Sequence, residues 1–265
     1  MKITILGSGT STGVPQIGCR CEVCTSTNPK DRRLRCSSIV ETEDARLLLD
    51  CGPDFREQML TVPFDRLDGV LITHEHYDHT GGIDDLRPFC VWGDHCVNIY
   101  LDSYTAQHLR DRLPYFFRTK LYPGVAHIRL NEIEPYKPFL IGRTQVVPLP
   151  IMHGQLPILG FRINCPSGRS VGYVTDMSSC EERVKECLSG VDILVVNALR
   201  FEPHPAHQSL EEAIAFARQI NAPVTRFIHF SHHIGLHDVT NSRLFDITHS
   251  DSMALAFDGE VISVE

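Results

Sequence analysis

Thr73-His74-Glu75-His76-Tyr77-Asp78-His79-Thr80-Gly81-Gly82 follows directly on the apolar run Gly69-Val70-Leu71-Ile72. The run reads as a strand near 69–73 and the motif as the loop at its end. Side chains two apart in an extended segment share one side, so His74 and His76 can grip one ion. Asp78 and His79, beyond the strand, are free to turn toward a second. Two cations a few ångströms apart, about 3.5–4 Å in such sites, can share and deprotonate a water and neutralise both ends of a displacement. A lone histidine at a strand end is ordinarily a packing or surface residue. Four ligand-type residues in H-x-H-x-D-H order, with a Gly-Gly pair that permits close backbone approach, have no such structural explanation. The pattern predicts hydrolase chemistry.

Further donors stand at the ends of other apolar runs. Asp176 follows Ser170-Val171-Gly172-Tyr173-Val174-Thr175, and a carboxylate there can bridge two cations where a neutral imidazole cannot. His153 follows Val146–Met152, and His229 ends Thr225-Arg226-Phe227-Ile228-His229. Each is weak alone; as a set they complete one site.

The surrounding pattern is α/β. Residues 37–42 and 45–50 read as a hairpin, with strands at 97–101, 139–149, 158–164, 170–175, 192–197 and 225–230. A hairpin around Asp258-Gly259 is expected over 254–264. Helices are expected over 103–113, after Ser179 with Glu182 three residues on, and after Ser209 with Glu212, both pairs suggesting capping boxes. The Pro- and aromatic-rich stretch 114–138 has no assignment. Strands first and strand–helix alternation later predict two packed mixed sheets with helices on the outer faces, in one domain over 1–265.

With 265 residues, 42% hydrophobic and 22% charged, the chain is ordinary for a globular protein. No apolar run approaches the roughly 18–20 residues needed to cross a bilayer, and Met1–Leu6 reads as a first strand rather than a signal peptide. Ten irregularly spaced cysteines without an export signal suggest a reducing cytoplasm. A net charge of −8 disfavours a broad nucleic-acid surface. The basic stretch Lys30, Arg32, Arg33, Arg35 reads as a solvated loop or an internal salt-bridge site. Gly7-Ser8-Gly9-Thr10-Ser11-Thr12-Gly13 lacks both the P-loop ending and the dinucleotide spacing, and is read as a tight turn.

Gly18-Cys19-Arg20-Cys21-Glu22-Val23-Cys24 places C-x-C-x-x-C in a loop at about 18–25, a thiolate cluster suited to structural zinc. A closed tetrahedral site needs a fourth ligand, for which His232 and His233 are the candidates.

The strand-end donors, in this order along the chain, resemble those of the metallo-β-lactamase superfamily. That resemblance implies an αββα sandwich with two divalent ions, zinc, manganese or iron, on one edge of the sheets. It implies that His74, His76 and His153 hold one metal, that Asp78, His79 and His229 hold the other, and that Asp176 bridges. Asp50, in Leu47-Leu48-Leu49-Asp50-Cys51-Gly52, would orient the ligand loop without binding metal.

The cysteine loop and a histidine three residues after His229 further resemble the phosphoribosyl 1,2-cyclic phosphate phosphodiesterase subfamily. By that likeness Cys19, Cys21, Cys24 and His232 bind one structural zinc. A histidine before a helix protonates the leaving oxygen; His207 is the matching position and His204 its competitor. The implied function is hydrolysis of a small phosphodiester, cyclic ones included, by a metal-bridging hydroxide, dependent on Asp78 and His207, in a homodimer. Gly81–Phe89, with Asp84, Asp85 and Arg87, departs from the subfamily: the two aspartates could cap a helix, and Arg87 could pair with them or meet an anionic substrate. Carboxyl ester, thioester or lactone hydrolysis, RNA processing, and a non-catalytic carrier resembling pyrroloquinoline quinone biosynthesis protein B are the alternatives.

Overall fold

The computed structural model describes residues 1–91, 96–118 and 125–264. Two sheets face each other. Across the first, the strands run Val261–Ser263, Lys2–Gly7, Ser37–Glu41, Arg46–Leu49, Gly69–Leu71, Val97–Leu101 and Ile128–Glu132. Across the second they run Ser179–Cys180, Thr144–His153, Leu156–Asn164, Ser170–Val174, Ile193–Asn197, Val224–Ile228 and Met253–Leu255, with Phe139–Ile141 paired to Thr144–His153. Both sheets are mixed. Arg46–Leu49, Gly69–Leu71, Val97–Leu101 and Ile128–Glu132 run parallel in the first, as do Ser170–Val174, Ile193–Asn197, Val224–Ile228 and Met253–Leu255 in the second.

Alternation along the strands builds the layers. Leu47 and Leu49 point between the sheets, where Ile3, Ile5, Val40 and Leu71 meet Phe161, Ile163, Tyr173, Ile193 and Val195. Leu48 and Ile39 point the other way, under Phe55, Phe89, Ala106 and Leu109 from the helices outside the first sheet. Leu194 and Val196 likewise face outward, against Val184, Leu188, Ala213 and Ala217. Ile193–Asn197 is thus covered on both faces, which is why it reads as an unbroken apolar run. The architecture is the αββα sandwich with helices on the outer faces.

Three local expectations are corrected. Residues 139–149 are not one strand: Gly142, at φ 61°, folds Phe139–Ile141 back onto Thr144–Val146. Ser179 caps nothing, because it pairs as a strand with Met152; the helix starts at Glu182 without a side-chain cap. The 254–264 hairpin does not form. Met253–Leu255 joins the second sheet and Val261–Ser263 the first, so Asp258-Gly259 lies on a crossing between sheets. There the Asp258 carboxylate accepts from Ser8 N and Oγ and from Leu34 N. The Ser209–Glu212 capping box is present, opening Leu210–Ile220. Within 114–138, Pro114–Phe117 is a 3-10 turn and Ile128–Glu132 an edge strand, while 119–124 lie outside the described residues. Among the described residues no helix is long and apolar enough to cross a membrane.

Candidate metal centre

The parallel strands deliver Asp50, the histidine loop, Asp176 and His229 to one rim. Asp50, Asp176 and His229 all have left-handed backbones, at φ 60°, 57° and 57°, which costs a non-glycine residue roughly 1–2 kcal/mol. Each follows the last residues of a strand, and the unusual turn aims its side chain inward instead of continuing the pleat. Gly52 and Gly82 let the loop lie backbone on backbone. A Cβ on Gly52 would collide with the Asp78 carbonyl, and one on Gly82 with the Gly52 carbonyl.

Asp50, fully buried, organises the loop. Its carboxylate accepts from Thr73 N at 2.9 Å and from His79 Nδ1 at 2.8 Å, and the Thr73 hydroxyl lies 3.1 Å from both of its oxygens. That hydroxyl donates to Asp50 and therefore accepts from His74 Nδ1, 2.9 Å away. The network leaves the Nε2 lone pairs of His74 and His79 facing the site. His74 Nε2 stands 2.9 Å from His76 Nδ1, and His153 Nδ1 donates to Ala206 O at 2.8 Å, leaving its Nε2 as the lone-pair nitrogen.

Two donor groups result, each with its ligand atoms within 4.8 Å of one another: His74, His76 and His153; and Asp78, His79, Asp176 and His229. Asp176 also belongs with His153 and His207 in a third such group, so its carboxylate lies between the first two. His79 Nε2 is 3.2 Å from Asp78 Oδ2 and 3.3 Å from Asp176 Oδ2; His229 Nε2 is 3.1 Å from Asp176 Oδ1. Against the desolvation that burial imposes, Asp78, Asp176 and Asp50 hold the His79 pKa well above its ordinary value. Asp176, despite its burial, is held well below the carboxylate range by His229 and His79. Burial, with His79 beside it, drives His74 down, leaving a neutral imidazole.

Divalent cations fit this set. His79 Nε2 and His229 Nε2 are buried against Asp78 and Asp176 at 3.1–3.6 Å without a well-aligned hydrogen bond, the crowding of donors that ligands around a cation would show. Nitrogen and carboxylate donors suit zinc, manganese or iron.

A second convergence lies at the cysteine loop. His232 Nδ1 is 3.3 Å from Cys19 Sγ, 3.7 Å from Cys21 Sγ and 3.2 Å from Cys24 Sγ, a set of three sulfurs and one nitrogen suited to zinc. His233 stays outside it, with its Nε2 3.0 Å from His232 Nε2. His207 Nδ1 lies 3.7 Å from Asp176 Oδ1, and its ring stacks on His229. His204 is farther out, its Nδ1 taken by Ala206 N. Arg87 pairs bidentately with Asp84, while the turn that follows Gly82 has no side-chain cap. In the basic stretch, Arg33 pairs with buried Asp31 and Arg35 with Asp54.

Thr73 and Thr175, whose hydroxyl donates to Asp176 Oδ2 at 2.7 Å, were not foreseen. Each directly precedes a candidate ligand, the only signal either carries.

Residues 45–230 match the Beta-lactamase superfamily domain family. The chain belongs to the metallo-β-lactamase superfamily. It superposes on the crystal structure of a new diphosphatase from the PhnP family with a TM-score of 0.88 and 36% identity, over 98% of this chain and 96% of that one. It is 45% identical over 239 residues to a Porphyromonas gingivalis protein named octanoyltransferase, over 89% of this chain and 47% of that protein. The chain thus spans about half the length of that relative. To the coenzyme PQQ synthesis protein B of Methylobacterium nodulans it is 30% identical over 220 residues, 74% of this chain and 72% of that protein.

Proposed function

We propose that this hydrolase cleaves a small phosphodiester or diphosphate with two divalent cations. His74, His76 and His153 would hold one, and Asp78, His79 and His229 the other, with Asp176 shared. The observation that carries the reading is the convergence of these seven side chains, with imidazole nitrogens and carboxylate oxygens within 4.8 Å of one another in each group. The likeness to a diphosphatase over nearly the whole of both chains supports phosphorus as the centre attacked.

When bound, the cations supply Lewis acidity toward the non-bridging oxygens and lower the pKa of a water. The protein's own residues do the rest. Asp50 and Thr73 hold His74 and His79 in fixed tautomers, and Thr175 orients Asp176. His207 protonates the leaving alkoxide, being the loop histidine that faces Asp176. Burial and the adjacent His229 push its pKa down to about 3. The charge of an arriving phosphodiester favours its protonated form. Cys19, Cys21, Cys24 and His232 would hold one structural zinc. The proposal extends to a single domain over 1–265 and a homodimer, checked by light scattering. It also extends to a cytoplasmic site of action, in keeping with ten free cysteines.

The octanoyltransferase relative favours a second reading, hydrolysis of a medium-chain acyl ester or thioester. That name belongs to a protein about twice as long, so it weighs less than the diphosphatase match. One screen separates the two: cyclic and linear phosphodiesters and diphosphates against an octanoyl thioester and an activated carboxyl ester, with metal analysis on the same preparation. Acyl turnover without phosphoryl turnover would replace the first reading by the second.

A further inference from the structure

We propose that Arg112 is a positioning residue that fixes His76 through Thr80, and so sets the affinity of the His74, His76 and His153 group for its cation. The inference rests on the two-cation reading. Arg112 ends the helix Ser103–Arg112, which belongs to neither sheet. Its Nη2 donates to Thr80 Oγ1 at 2.8 Å and to Thr80 O at 3.2 Å, and its Nη1 reaches Glu75 O at 3.4 Å. One guanidinium therefore ties the entry of the histidine loop to its exit. Thr80 Oγ1 passes the contact on, donating to His76 O at 2.7 Å.

His76 is the ligand most dependent on this tie. His74 is held through Thr73 and Asp50, His79 by Asp50 directly, and His153 by Ala206 O. Among the described residues, the His76 ring has a hydrogen-bonding contact only with His74, and the residue is exposed. Its placement is left to its backbone, whose carbonyl accepts from His79 N at 3.1 Å and, at the shorter 2.7 Å, from the Thr80 hydroxyl that Arg112 holds from behind. The planar fork of an arginine can serve both carbonyls at once, whereas a lysine amine, a single point donor on a flexible stem, would hold only part of the set.

The test uses the full chain, stripped of metal and titrated with Co²⁺. The visible bands of nitrogen- and oxygen-ligated cobalt report the pair, and the thiolate charge-transfer band reports the cysteine site. In R112M, one of the paired ions is expected to bind about 10–100-fold more weakly, the usual effect of removing an outer partner of a ligand. The thiolate band should be unchanged, and kcat should fall with KM held. R112K should recover part of the loss. T80V, which keeps the arginine and removes the relay to His76, should reproduce it and carries the test should R112M not fold. Wild-type affinity for both ions in folded R112M and T80V would overturn this inference alone. Wild-type protein that takes up no pair would overturn the two-cation reading, and this inference with it.

Discussion

His232 Nδ1 stands 3.2 Å from Cys24 Sγ, although 208 positions separate the two residues. The contact ties the loop after the first strand to the segment just beyond His229. Cys21→Ser or Cys24→Ser should remove one zinc per chain by elemental analysis and lower the melting temperature. For a chain of this size each kcal/mol lost corresponds to about 2–4 °C. Activity in the cold should persist, because no residue of the cysteine site touches the paired donors. An unchanged zinc content would remove the structural site from the account.

Asp176→Asn should leave a folded protein with native circular dichroism and at least about a 10³-fold loss of phosphodiester turnover, on the order of 4 kcal/mol in the barrier. Asp78→Asn should behave alike. Steady-state rates on an activated phosphodiester decide it; full activity in either variant would end the two-cation mechanism.

His207→Gln should separate leaving groups. A general acid contributes about 10²–10⁴ in rate where the departing oxygen is basic. An alkyl phosphodiester should therefore lose turnover in that range while a p-nitrophenyl ester, whose leaving group needs no proton, loses little. Equal losses on both substrates would assign His207 to binding instead, and the same comparison on His204→Gln would show whether that residue takes the role.

Arg33→Leu should be among the most destabilising single changes. Arg33 and Asp31 are both sealed from solvent at 3.4 Å, and the same guanidinium donates to Ser231 O and Gly235 O on either side of His232. Removing one partner of a buried pair leaves an uncompensated charge and costs about 3–5 kcal/mol. Urea denaturation of both proteins measures it.

Asp258 gives stability a pH dependence with a defined sign. Burial raises its pKa from 3.8 to about 6, against the donors Leu34 and Ser8. The folded state holds this proton more tightly than the unfolded chain. The stabilisation it brings is complete below about pH 4 and is lost as pH rises through 6, on the order of 3 kcal/mol. Asp258→Asn removes that titration. The stability difference, variant minus wild type, should move in the variant's favour between pH 4 and pH 7. A difference constant over that range would show that Asp258 titrates normally.

Much of the site could be read in one dimension because its chemistry is local. H-x-H-x-D-H and C-x-C-x-x-C bring ligand types together within a single loop, and Asp50, His153, Asp176 and His229 each terminate an apolar run. The Ser209–Glu212 cap and the doubly covered strand 193–197 were legible for the same reason: their partners lie within a few residues or on both faces alike. The misreadings have the opposite cause. Ser179 carried a valid cap signal that strand pairing with Met152 overrode, and Asp258-Gly259 carried a valid turn signal whose flanking strands belong to different sheets.

Sequence alone determined which side chains could bind cations and which runs would be buried, since donor chemistry and hydrophobic periodicity are properties of neighbouring residues. Only the tertiary structure decided that His232 rather than His233 faces the thiols, that His207 rather than His204 faces Asp176, and that Arg112 holds the histidine loop. Those choices turn on ångström-scale distances between segments tens to hundreds of positions apart, set by how the two sheets and the outer helices pack.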